Sequence, residues 1–279
     1  MPQNLRRAAR PGAGRRDTIA RMKPIAHIHT DLPQKFGIPR NSFLAPHLQG
    51  RIVFEPEYAL NSAVAGIDSF SHLWLLRRFE NGEPGGGAAD VAGDNARAGA
   101  TDKTAPATSP KPACWSPTVR PPRLGGAERV GVFATRSPFR PNPIGLTCVK
   151  LDRVELTDAG PIIHVLGADL RDGTPIYDIK PYLPYADAHP QARGGFTDQS
   201  QWRQLQVVLP DPADSPLSEA ETLALRQALA LDPRPHYHND PTRLYGLAFA
   251  DYDVRFRVED DQLTVVEIVE GKGSQPKKT

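Results

Sequence analysis

Short runs rich in β-branched or aromatic residues recur along the chain, each closed by glycine, proline or a turn residue. Pro24–Thr30 (PIAHIHT), Arg51–Glu55 (RIVFE) and Arg129–Thr135 (RVGVFAT) predict strands. His72–Phe79 (HLWLLRRF) predicts a buried apolar run. Ile144–Leu156 alternates roughly, with a bulge expected near Cys148, and Pro161–Leu166 follows the turn Asp158–Gly160, so these two read as a hairpin. No helix of ten to fifteen residues separates these runs, which argues against the strand–helix–strand rhythm of a doubly wound sheet. A mainly β fold, closing as an antiparallel or mixed barrel over residues 21–195, is the expectation.

The pattern changes after about Gly195. Ser218–Leu231 predicts one helix, capped by Ser218 with Glu221 completing a capping box and Leu223, Leu225 and Leu229 supplying an apolar side. Tyr245–Phe249, Asp253–Glu259 and Leu263–Val269 then predict three strands, the second in strict alternation. Together they suggest a smaller α+β domain over 196–270.

Composition sharpens this. The 29 prolines and 23 glycines make nearly a fifth of 279 residues and disfavour long helices. Three segments lack any period and read as disordered: a basic tail over 1–20, an insertion over 81–112 rich in Gly, Ala and Pro, and a tail over 271–279. The insertion is either a flexible loop or a mobile lid. The first sixteen residues carry five arginines without an apolar stretch, unlike a secretory signal. No apolar run reaches the eighteen residues of a membrane-spanning helix. Two cysteines, Cys114 and Cys148, are too few for a disulfide framework or a structural zinc site and point to a reducing cytoplasm. A net charge of +2 says nothing about partners.

Local charge says more. Between Arg120 and Arg153 lie seven basic residues and two acidic ones. Within that stretch Pro138, Pro141 and Pro143 stiffen a loop that holds Arg136, Arg140 and Asn142 in set directions. A guanidinium held this way suits phosphates or carboxylates, although a solvated basic surface gives the same pattern. In Gly167–Asp187, Asp178 and Lys180 share a face of an extended chain, as a tuned pair or as an ordinary surface pair. Prolines there limit regular pairing. Tyr177, Tyr182 and Tyr185 either stack on a base or pack. Lys35–Asn41 frames Arg40 in an irregular loop.

Other chemistry is unsupported. The pairs His27/His29 and His236/His238 lack a nearby third ligand, so no metal is expected. There is no nucleophile elbow, no P-loop and no dinucleotide-binding glycine fingerprint. Cys148 reads as buried packing rather than as a nucleophile.

FGIPR at 36–40, FSHLWLL at 70–76, RVGVFATRSPFRPNPIGL at 129–146 and DGTPIYDIKPYLPYAD at 172–187, in that order, resemble the TsaA-like family. PTVRPPRLGG at 117–126 and DPRPHY at 232–237, with RLYGL and DVRFRV after them, are similar to its longer members, the TrmO-type tRNA methyltransferases. The likeness spans about 23–270 apart from the insertion.

That resemblance implies a small β-barrel instead of a Rossmann methyltransferase fold. It implies an S-adenosylmethionine-dependent enzyme that methylates N6 of threonylcarbamoyladenosine at position 37 of tRNA, working as a homodimer with the cofactor near the subunit interface. The alternative is a non-catalytic RNA-binding barrel that keeps the scaffold. Carried over by motif, the cofactor pocket comprises Pro39, Arg40, Asn41, Phe79, Glu80, Arg136, Leu146, Asp169, Leu170, Arg171 and Asp172. Asn41 stands where the family usually has Gln, and Glu80 where it often has His. Asp178, or secondarily Tyr185, is the candidate general base. Arg136, Arg140 or Lys180 would meet the substrate carboxylate. Arg120, Arg123, Arg129, Arg140 and Asn142 would contact the anticodon stem-loop, with Arg243, Arg255 and Arg257 adding contacts.

Overall fold

The computed structural model describes residues 22–39, 41–79, 115–121, 124, 128–199, 204–234 and 240–271. The expected tails and insertion, Arg40, Glu80, Cys114, Arg123, His236 and His238 lie outside these, apart from Gly271 of the C-terminal tail.

Six strands close into an antiparallel barrel: β1 (Ala26–Thr30), β2 (Gln49–Phe54), β3 (His72–Arg78), β6 (Ile144–Thr157), β7 (Gly160–Leu166) and β8 (Thr174–Pro181). They pair in the order β1-β2-β7-β6-β3-β8, and β8 returns to β1. Closure follows from period-two patterning, which gives every strand an apolar inward row. Ile28, Ile52, Leu73, Leu75, Val149, Ile163 and Ile176 fill the interior and are almost wholly shielded from solvent. On β1 the intervening His27 and His29 meet carboxylates, His27 Nδ1 lying 2.8 Å from Glu55 and His29 Nδ1 3.2 Å from Asp172.

Two local expectations need correction. Only Val130–Gly131 of RVGVFAT is strand (β5, paired with β4, Thr118–Val119), because Val132–Ala134 turns as a 3-10 helix. The irregularity in β6 falls between Leu151 and Arg153, away from Cys148, where the register against β7 shifts. Its place follows from the partners: β3 pairs with β6 in unbroken register through Cys148. Thr174–Pro181 is strand through both prolines, but it pairs with β1 only over Thr174–Ile176, and against β3 its register shifts between Leu76 and Arg77. Pro175 lies near the β1 end and Pro181 at the β3 end of the strand.

A four-stranded sheet follows, β10 (Tyr245–Phe249), β11 (Tyr252–Glu259), β12 (Gln262–Glu270) and β9 (Gln206–Val208), in the order β10-β11-β12-β9. The short β9, parallel to β12, has too few residues to show a period in the sequence. Before these strands comes the four-residue helix α1 (Pro184–Asp187), and between β9 and β10 lies α2 (Glu219–Ala230), which carries the expected capping box between Ser218 and Glu221. Its buried face is Ala224, Leu225, Ala228 and Leu229, at helical spacing; Leu223 turns outward.

The sheet's core is completed by the barrel's own β1–β2 connection. Leu32, Ala45 and Leu48 are buried with Leu225, Leu247, Phe249 and Phe256, and Phe36 and Ile38 pack against them. Ala250 N donates to Asp31 O at 2.7 Å, and His47 N donates to Gln227 Oε1 at 2.9 Å. The 31–48 connection is thereby gripped at both ends.

Candidate functional site

Asn41, Ser42 and Phe43 in that connection face the outer side of β3. Alternation along β3 sends Leu73, Leu75 and Arg77 inward and His72, Trp74 and Leu76 outward. Opposite Trp74 stand Cys148 on β6 and Lys180 on β8. An open groove of about 440 Å³ lies here, lined by Asn41, Phe43, His72 and Trp74, with Arg136, Cys148, Tyr182 and Asp187 completing its wall. Ligand pockets of small molecules span roughly 300–1,000 Å³.

Rings dominate the groove. Phe43 meets His72 edge-on at 5.4 Å between centroids, His72 meets Tyr182 at 6.0 Å, and Tyr182 meets Trp74 at 5.8 Å. Trp74 Nε1 donates to Asp187 Oδ2 at 2.9 Å, and Leu183 N donates to the same oxygen at 2.9 Å. These two bonds, the backbone one first, hold the Asp187 carboxyl below its ordinary range. Burial pushes the Cys148 thiol up to about 11, with Asp187 adding to it, so this cysteine is protonated and inert at neutral pH.

At the far end of β3, Arg77 points inward over Gly145. A β-carbon on Gly145 would lie 3.0 Å from Arg77 Cγ and 3.1 Å from Phe79 Cε2, so the missing side chain makes room for the guanidinium. Arg77 stacks on the Phe79 ring at 4.1 Å. Asp169, in the β7–β8 connection, attracts it electrostatically. Burial nonetheless raises the Asp169 carboxyl to about 6, against the smaller opposing pulls of Arg77, the Thr147 hydroxyl, its own backbone N–H and Arg136. Asp169 Oδ1 and Arg77 Nε are buried without a hydrogen-bond partner among the described residues. Such atoms are costly to leave bare and mark a place where a ligand's polar groups fit.

Arg136 lines the groove and acts on Asp169, so it links the two places. Its loop is braced from within: Arg140 Nη1 donates to Thr135 O at 2.9 Å and Ser137 O at 3.1 Å. Arg140 is thus committed to its own loop, and Asn142 contributes its backbone carbonyl to Ile144 N at 2.7 Å.

The other candidates scatter. Pro39 is buried in the 31–48 connection. Leu146 faces outward, half exposed, whereas Leu170 is a barrel-core residue. Asp172 Oδ1 accepts from Thr30 N at 3.0 Å as well as meeting His29, so it closes the barrel end. Arg171 precedes it and accepts at its carbonyl from the Thr174 hydroxyl. Arg120 follows β4 directly. Asp178 and Lys180 form the expected pair, 2.8 Å apart, and Asp178 Oδ1 also accepts from Ile179 N at 2.9 Å. Tyr185 on α1 is 88% exposed and does not line the groove.

Sequence reading passed over Phe43, His72, Trp74, Asp187 and Arg77 as site residues. Alternation within FSHLWLLRR was the available signal: an outward His-x-Trp row and an inward arginine are both unusual for a barrel strand. Among the described residues no group of three or more His, Cys, Asp or Glu could hold a metal, and no helix is long and apolar enough to cross a membrane.

Comparison with known proteins places this architecture. Residues 27–188 match the tRNA-methyltransferase O N-terminal domain, and 203–271 match the TrmO C-terminal domain. A tRNA (adenine(37)-N6)-methyltransferase of Escherichia coli K12 is 36% identical over 244 residues, 85% of this chain and 92% of its own. A protein of the same name from Eikenella corrodens is 46% identical, covering 74% of this chain and all of its own. The crystal structure of TrmO from Pseudomonas aeruginosa superposes with a TM-score of 0.62 at 29% identity, over 90% of this chain and 96% of that one. A mainly β barrel with a separate small sheet, matched by both domain models in order, makes this chain a member of the tRNA-methyltransferase O family.

Proposed function

We propose that the chain is an S-adenosylmethionine-dependent tRNA methyltransferase acting on N6 of adenosine 37, with threonylcarbamoyladenosine as the acceptor. The observation that carries this reading is Arg136. It lines the aromatic groove and pulls electrostatically on the buried Asp169 carboxylate, whose Oδ1 is bare.

The residues suit the donor. Asp169 offers an anion to a cationic ligand, Arg136 offers a cation to a carboxylate, and Phe79 and Leu146 offer apolar surface; Pro39, Asn41 and the 170–172 segment, with Arg40 and Glu80, complete the set expected from the motif. When bound, S-adenosylmethionine supplies a methyl group on a positively charged sulfur. Aligning a nucleophile with such a carbon accounts for about 7–11 kcal/mol of the barrier in favourable cases. The protein's task is therefore to hold two ligands in line and to receive a proton. Asp178 is the first candidate acceptor of that proton and Tyr185 the second. Arg136 orients the threonyl carboxylate, with Lys180 in reserve.

RNA contacts are assigned to Arg120, Arg123, Arg129 and Asn142, with Arg140 stiffening the loop. Arg243 and Arg257 add contacts from the smaller domain. Arg255 is engaged by Asp253 at 3.3 Å and Glu267 at 2.9 Å and contributes less. Homodimerisation is supported by apolar side chains left in solvent, Phe133 at 74% exposure and the half-exposed Ile144 and Leu146, which a second copy would cover. The working place is the cytoplasm, and the barrel domain (21–195) and the smaller α+β domain (196–270) share the RNA contacts.

The test is mass spectrometry of tRNA bearing threonylcarbamoyladenosine after incubation with the protein. A gain of one methyl mass that requires S-adenosylmethionine is the expected result. RNA binding without any gain would instead favour a non-catalytic RNA-binding barrel.

A further inference from the structure

The groove at the start of β3 has a construction that barrel packing does not require. Four rings from three separate places, the 31–48 connection, β3 and the chain after β8, converge on a surface cleft rather than on either core. Phe43 is 42% exposed and has φ of 66°. A bulky residue in the left-handed region is strained, and such strain persists where the surroundings hold it for a purpose. Here it turns an exposed ring towards His72. Ser71 Oγ lies 2.9 Å from His72 Nδ1 and sets that imidazole. Asp187 is anchored through Oδ2 alone by Trp74 and Leu183, so Oδ1 is left as an acceptor.

We propose that this groove is the binding site for the purine base of the acceptor nucleotide, stacked by Phe43, His72, Trp74 and Tyr182, with the Asp187 carboxylate at its edge. The assignment rests on the methyltransferase reading above. A π-face with a fixed carboxylate at its edge is what a splayed RNA base meets in proteins that read single-stranded RNA. The groove's volume suits one nucleoside. Asn41 and Arg136 of the donor set line this groove too, while Phe79 lies further along: Trp74 and Phe79 are five residues apart on an extended strand, about 17 Å. Phe79 and Asp169 belong to the far end, and Arg136 lines the groove and pulls electrostatically on Asp169. Two ligands entering from the two ends would meet at Arg136.

The experiment uses an anticodon stem-loop RNA with 2-aminopurine at the nucleotide 3′ of the anticodon, whose fluorescence is quenched by stacking. With the full chain, strong quenching is expected, and saturating S-adenosylhomocysteine leaves it in place. Trp74→Leu and Phe43→Gly lose the quenching and weaken RNA binding by about 5–100-fold, the range for one stacked base. Phe43→Gly relieves the backbone strain, so its melting temperature is unchanged or higher and unfolding does not explain its loss. Quenching that survives in both variants overturns the proposal. Displacement by S-adenosylhomocysteine also overturns it, because the rings would then hold the donor's adenine. Methyl transfer by the parent protein with kcat/KM unchanged in both variants defeats the groove and spares the methyltransferase reading. Quenching without methyl transfer does the reverse.

Discussion

The indole of Trp74 donates to Asp187 Oδ2 at 2.9 Å, tying the middle of β3 to helix α1 across 113 residues of chain. Because Leu183 N donates to the same oxygen, the folded protein favours the ionised carboxylate. That contribution is complete above the unfolded value, about 3.9, and is lost as pH falls through the lower folded value. Asp187→Asn should therefore flatten part of the acid limb of the melting temperature below about pH 4. Thermal scans of both proteins from pH 2 to 7 test this, and parallel limbs would contradict it.

Asp169 behaves with the opposite sign. Its carboxyl is raised to about 6, so the folded state binds a proton more tightly than the unfolded chain. The stabilisation is full below about 3.9 and disappears as pH rises through about 6. Asp169→Asn should remove this slope and raise the melting temperature by a few degrees at pH 8. If the ionised carboxylate meets the cationic donor, S-adenosylmethionine affinity in the parent falls about tenfold per pH unit below 6, and Asp169→Asn loses it at every pH. Calorimetric titration from pH 5 to 8 reads both effects.

Gly37 has φ of 87°, and a β-carbon there would collide with Leu247 Cδ1 in the second core. Gly37→Ala should cost about 1–3 kcal/mol, from overpacking together with left-handed strain. Urea denaturation measures it. Since the same connection carries Asn41 and Phe43, substrate affinity should fall along with stability.

Arg140 spends one guanidinium nitrogen on two carbonyls of its own loop. Arg140→Lys keeps the charge and loses the planar fork, so Arg136 is no longer held in one direction. Methyl transfer should drop about tenfold while the melting temperature moves by less than about 2 °C. A drop of the same size in Arg140→Ala would show that the bracing matters and the charge does not.

Tetrahedral carbon and the pleat make side-chain alternation a local property, so the barrel strands and the capped helix α2 could be read from residues a few positions apart. Motif likeness likewise pointed to the family and to Arg136, Asp169 and Asn41 from short stretches. Long-range contacts decided the rest. Leu32 and Leu48 alternate like any loop residues, yet they complete the core of a sheet some two hundred residues away in the chain, because that sheet and α2 leave an apolar gap. RVGVFAT looked like a strand because valine and phenylalanine favour one, but only Val130–Gly131 finds a partner, and unpaired backbone turns instead. The aromatic groove and the buried Arg77–Asp169 pair depend on barrel closure, which brings β3, β6, β8 and two connections to one place. Sequence determined which residues face in or out; only the closed barrel decided which of them meet.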